Sequence, residues 1–89
     1  MKVLVTGSDG FIGSNLVDDL DHPIKMDKKT GGSKAFYPIL DHIVSNQHPD
    51  IIVHLGANCS SQVSLRDPKL DFTDNVMGAF NICEISRRY

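Results

Sequence analysis

The stretch Val3-Leu4-Val5-Thr6-Gly7-Ser8-Asp9-Gly10-Phe11-Ile12-Gly13 constrains the fold more than any other part of the chain. Its β-branched apolar run reads as a buried strand that stops at Thr6-Gly7. Glycines follow at every third position, and Ile12, Leu16, Val17 and Leu20 then recur at helical spacing. A strand, a tight turn and an amphipathic helix are therefore predicted in immediate succession. In such a turn Gly7 lets the chain leave the strand sharply. Gly10 leaves the backbone open to close approach, and Gly13 lets the helix pack tightly on the strand.

The rest of the sequence alternates in the same way. Pro23-Ile24-Lys25-Met26 predicts a short second strand, and Thr30-Gly31-Gly32-Ser33 a loop. Ile39, Leu40, Ile43 and Val44 mark one face of a helix that Pro38 opens at its first position. His48-Pro49-Asp50 breaks that helix, and Ile51-Ile52-Val53-His54-Leu55 is the clearest strand signal in the chain. Gly56 to Arg66, small and polar, reads as a loop. Asp67-Pro68 then opens a final helix, with an acidic cap followed by proline. Along it Leu70, Thr73, Val76, Met77, Phe80 and Cys83 recur at helical spacing up to Arg87-Arg88. The order βαβαβα implies a parallel sheet with right-handed crossovers.

At 89 residues the chain makes a single domain over residues 1–89. With 9 Lys+Arg against 11 Asp+Glu it offers no basic stripe, which argues against a nucleic-acid partner. Cys59 and Cys83 form no CxxC pair and read as buried or half-buried thiols of a cytoplasmic protein. The N-terminal apolar run is too short for a signal segment or a membrane span.

A glycine turn between a strand and a helix is the setting in which a helix N-terminus binds phosphate. Unpaired N–H groups and the positive end of the helix dipole face the anion. A carboxylate about 20 residues on, closing the second strand, would accept hydrogen bonds from a ribose of a dinucleotide. Asp27 stands at that offset from Gly7. It favours NAD over NADP, although Lys28 and Lys29 beside it are suited to a 2′-phosphate.

The sequence resembles the extended short-chain dehydrogenase/reductases, in the NAD-dependent epimerase/dehydratase family that acts on nucleotide sugars. Val3 to Gly7 and Gly10 to Ser14 are close to that family's TGGAGFIGS. Pro49 to Ala57 is similar to its PDxVxHLAA. Val63-Ser64, Asp67-Pro68, Asn75 to Gly78, Asn81 and Ser86 to Tyr89 follow the VxxS, DP and NVxGTxNLLEAARRY pattern. The resemblance implies a Rossmann-type domain in which Gly7, Gly10, Phe11, Ile12 and Gly13 cradle the pyrophosphate of NAD and Asp27 holds the adenosine ribose. Leu55, Gly56 and Ala57 would line the cofactor groove, with Asn75 supporting that loop. Gly56 replaces the family's first alanine. The strand and acid that contact adenine in the family find no counterpart between Asp27 and Pro49. Nor do the 89 residues contain the catalytic Tyr-x-x-x-Lys, since Tyr37 is followed four residues on by Asp41.

Other candidates read as structural. His22, His42, His48 and His54 have no metal-ligand spacing, and no nucleophile elbow surrounds Ser60, Ser61 or Ser64. Phe72, Met77 and Phe80 read as core residues. The expected architecture is thus a truncated Rossmann-type three-layer α/β/α domain, its short parallel sheet in the order 2-1-3. The expected function is an NAD(H)-binding module without catalysis of its own. A bare third-strand edge would pair two chains into a homodimer. Two other readings stay open: an interaction protein on a relic of this fold, and the cofactor half of a split enzyme.

Overall fold

The strand predicted before the glycine turn is β1 (Val3–Thr6), and every residue in it is buried. The computed structural model describes residues 1–27, 32–57 and 61–89, with side chains at all of these but 32–35, 61, 63 and 64. After β1 come α1 (Phe11–Asp19), β2 (Ile24–Met26), α2 (Gly32–Gln47) and β3 (Ile51–His54). The helices α3 (Ser61–Arg66), α4 (Pro68–Phe72) and α5 (Gly78–Arg88) complete the order. The strands form a parallel sheet in the order β2-β1-β3. Because β1 is central, both of its backbone edges are paired, and burial on both faces explains its unbroken apolar run.

The main core lies where Leu4 and Met26 of the sheet meet Leu40 and Val44 of α2 and Ile82 and Ile85 of α5. The chain leaves β1 in one direction for β2 and returns in the other for β3. Right-handed crossovers therefore put α1 and α2 on opposite faces, giving three layers. Lys2 ties the bottom of the sheet: its backbone N–H donates to Asp50 Oδ2 at 2.7 Å, and its carbonyl accepts from Asp50 N and Ile51 N.

Local signals fail at three places. Helix α2 begins upstream of Pro38, which lies inside it, so Gly32 and Ser33 are helical rather than loop. An interior proline removes one helical hydrogen bond. The packing of Leu40 and Val44, with Phe36, Tyr37, Ile39 and Ile43 around them, outweighs that loss. The segment read as a loop up to Arg66 contains α3, whose Gln62, Leu65 and Arg66 are exposed. Six residues make fewer than two turns, too few for a helical period to show in the sequence.

The third place is the final helix. It starts as expected, with Asp67 Oδ1 accepting from Leu70 N at 3.1 Å and Pro68 in the first turn. A π-helical turn at Thr73–Met77 then separates α4 from α5. Such a turn holds an extra residue and changes which side chains share a face. The buried positions of α5 are Gly78, Ile82 and Ile85. Phe72, Met77 and Phe80, expected in the core, are exposed, as are Leu70 and Val76. Cys83 is also exposed and free, against the expectation of burial. Cys59 and Ser60 lie outside the described residues.

Candidate functional site

The site is built where the C-terminal ends of the parallel strands meet the glycine turn. Gly7 has φ +69°, a conformation other residues rarely adopt. A Cβ there would also stand 2.7 Å from the Leu55 backbone and 2.8 Å from Gly56 N. At Gly13 a Cβ would meet Gly7 O at 2.1 Å. These two glycines are demanded by the protein itself. The turn must touch the segment after β3, and α1 must lie on the turn.

Gly10 differs. Among the described residues a Cβ there would meet Gly7 O alone, at 3.3 Å, a close contact that a shift of a few tenths of an ångström would relieve, and Gly10 itself is exposed. Its φ of −72° suits any residue. The described residues therefore demand a glycine less strictly here than at Gly7 or Gly13, and Gly10 lies on the exposed outside of the turn. Gly10 is also the N-cap of α1 and supplies no side chain to cap it, and no acid sits in the first turn. Among the described residues no side chain caps the first N–H groups of α1, which carry the positive end of the helix dipole. Phe11 and Ile12, 86% and 66% exposed, flank them. A pyrophosphate fits this cradle in shape and in charge.

Asp27 closes β2 and is half-buried. Its Oδ2 accepts the Asp9 N–H at 2.9 Å, so the acid expected on a ribose also braces the turn. Leu55 and Gly56 follow β3 as the opposite wall, half-buried, and Ala57 is exposed. Asn75 lies on the π turn, where its Nδ2 donates to Asp71 Oδ1 at 2.9 Å. Lys28 and Lys29 lie outside the described residues, as do residues 30 and 31.

Thr6 is a site residue that sequence reasoning missed. The residue is 1% exposed, and its hydroxyl accepts the N–H groups of Leu55 and Gly56, each at 3.1 Å, and contacts His54 Nδ1 at 2.6 Å. Burial lowers the pKa of His54 below its ordinary 6.5. Parallel pairing places Thr6 opposite His54, a register that only the folded sheet reveals. Among the described residues no group of His, Cys, Asp and Glu is arranged to hold a metal. No helix there is long and apolar enough to cross a membrane. A cavity of about 250 Å³ between Val44, Pro49, Ile52, Ile85 and Tyr89 lies at the other end of β3 and takes no part in this site.

Residues 3–89 match the sequence model of the NAD dependent epimerase/dehydratase family. The chain belongs to that family. A UDP-glucose 4-epimerase of Mycolicibacterium smegmatis is 32% identical over 109 aligned residues, which take in 98% of this chain and 35% of that protein. The structure of Thermus thermophilus UDP-glucose 4-epimerase complexed with NAD superimposes with a TM-score of 0.85 at 32% identity, over 100% of this chain and 34% of that one. Bacillus anthracis dTDP-4-dehydrorhamnose reductase, in complex with NADP, gives 0.84 at 25% identity, over 96% and 31%.

As an epimerase/dehydratase relative, the chain spans about a third of the length of the curated proteins it matches. It resembles their N-terminal, NAD-binding part. The alignment with the mycobacterial enzyme is longer than this whole chain, so that enzyme carries residues in the matched region that have no counterpart here. Between Asp27 and Pro49 the described residues hold α2.

Proposed function

We propose that these residues form an NAD(H)-binding module in which the glycine turn holds the pyrophosphate. The observation that carries this reading is Gly10, which the described residues demand less strictly than Gly7 or Gly13 and which lies exposed at a helix N-terminus with no side-chain cap. Phe11, Ile12 and Gly13 belong to the same cradle, Gly7 shapes it, and Asp27 takes the ribose hydroxyls. Leu55, Gly56 and Ala57 wall the groove, and Asn75 supports them from the π turn. NADP is the weaker ligand because the Asp27 carboxylate repels a 2′-phosphate. When bound, the cofactor would supply hydride chemistry. This chain supplies binding and orientation, and its sequence contains no Tyr-x-x-x-Lys for proton transfer. Substrates of the kind named for the relatives, UDP-glucose among them, would need residues outside this stretch.

Calorimetric titration with NAD and NADP tests the reading. Wild type should bind NAD more tightly, and Gly10→Val should abolish binding while staying folded. No heat of binding in wild type, or equal binding by the variant, rejects it.

A homodimer is part of the proposal. Ile51 is 42% exposed at the outer edge of β3, and its apolar neighbours Ile52 and Val53 are only half-buried. Antiparallel pairing of two β3 edges across a two-fold axis would cover them. We place the module in the cytoplasm, where free thiols such as Cys83 persist.

A further inference from the structure

The hydroxyl of Thr6 has one proton and two acceptor positions. The N–H groups of Leu55 and Gly56 occupy both acceptor positions. Its proton therefore goes to His54 Nδ1, at 2.6 Å. That bond requires an unprotonated Nδ1, so the ring is neutral and carries its proton on Nε2.

Protonation of Nδ1 would reverse the bond. The hydroxyl would have to accept from the ring and give up one backbone N–H, and its own proton would lose its acceptor. Leu55 N–H has a second acceptor in Thr6 O, at 3.1 Å. Among the described residues Gly56 N–H has the hydroxyl alone. Gly56 is thus the group released. It also abuts the turn, since a Cβ on Gly7 would lie 2.8 Å from its nitrogen.

The charged groups on the surrounding elements are engaged elsewhere. Phe36 of α2 presents an uncharged ring 6.2 Å from the imidazole. Asp41 of α2 accepts from the Tyr89 hydroxyl and lies 3.9 Å from Arg88. Glu84 of α5 pairs with Arg87, and Asp27 at the end of β2 braces Asp9. Among the described residues His54 makes no ion pair.

We propose that Thr6 and His54 form a proton-operated latch on the Leu55–Gly56 wall, closed while His54 is neutral and open once it is protonated. The effect on the cofactor rests on the NAD-binding reading above; the latch itself does not. Thr6 is a positioning residue, acting through the backbone of Gly56. Burial depresses the folded-state pKa of His54, so just below 6.5 the folded chain holds fewer protons than the unfolded one. The latch is therefore closed well above pH 6.5 and opens as pH falls through the lowered value.

The first test uses the ligand-free, ¹⁵N-labelled protein. Long-range histidine spectra should show His54 protonated at Nε2 in neutral solution. Its titration should coincide with a shift and faster hydrogen exchange of the Gly56 amide. An Nδ1-protonated tautomer, or a Gly56 amide indifferent to His54, overturns the latch. The second test is NAD affinity against pH. Wild type should weaken roughly tenfold or more across the titration, while His54→Asn, neutral with an acceptor oxygen, should stay nearly flat. Equal slopes in the two proteins overturn the latch. If the ligand-free signals are as stated and NAD binds at no pH, the latch stands and the cofactor reading fails.

Discussion

Asp27 Oδ2 accepts the backbone N–H of Asp9 at 2.9 Å, joining the end of β2 to the middle of the glycine turn. One carboxylate thus has two tasks. It fixes the turn that would hold a pyrophosphate, and it stands where a ribose would lie. Substitutions separate the two. Asp27→Asn keeps an acceptor for Asp9 N–H but loses the charge, so the turn should persist and NADP should gain on NAD. Asp27→Ala loses both, and NAD affinity should fall by roughly tenfold to a hundredfold, the equivalent of a charge-assisted hydrogen bond. Calorimetry with both cofactors reads the ratio. An unchanged ratio in Asp27→Asn would remove the carboxylate from specificity.

The glycines divide in the same way. Gly7→Ala adds a side chain at φ +69° and against the backbone of Leu55, and Gly13→Ala drives a methyl into Gly7 O. Each should cost roughly 3 kcal/mol or more in urea unfolding. Gly10→Ala should cost clearly less than either, because among the described residues its Cβ meets one atom, at 3.3 Å. Equal destabilisation at all three positions would show that Gly10 serves the fold rather than a ligand.

The edge of β3 gives a prediction about assembly. Wild type at micromolar concentration should sediment as a dimer. Ile51→Lys, at an exposed position, should give a folded monomer, since a charged edge resists strand addition. A monomeric wild type would refute edge pairing.

Stability should depend on the α2–α5 contact. Ile85 is fully buried between the sheet and α2, so Ile85→Ala should lose about 2–5 kcal/mol. Phe80→Ala, five residues earlier in α5 and exposed, should change stability by less than about 0.5 kcal/mol. Asp67→Ala removes the cap on Leu70 N and should cost about 1 kcal/mol. Thermal and urea melts of the three proteins check this order.

The sequence by itself determined the three strands, their alternation with helices, the glycine turn and the Asp67-Pro68 helix start. Each of these is written in residues close together in the chain: an apolar run, a glycine, a capping acid. Strand ends came within about a residue of those observed, for example Ile51–His54 against a predicted Ile51–Leu55. The tertiary structure alone decided which residues those elements bring together. Thr6 and His54 are 48 residues apart and meet only because β1 and β3 pair in parallel register. Asp27 reaches Asp9 only once β2 lies beside β1. The exposure of Phe72 and Phe80 depends on the π turn and on what α5 packs against, and the upstream start of α2 on a core that outweighs Pro38. Local propensity acts over a turn or two, whereas burial and hydrogen-bond pairing are properties of the folded sheet. The glycines join both levels. Their spacing announced the turn, and their surroundings showed that Gly7 and Gly13 serve the fold, while Gly10 is exposed and less tightly enclosed.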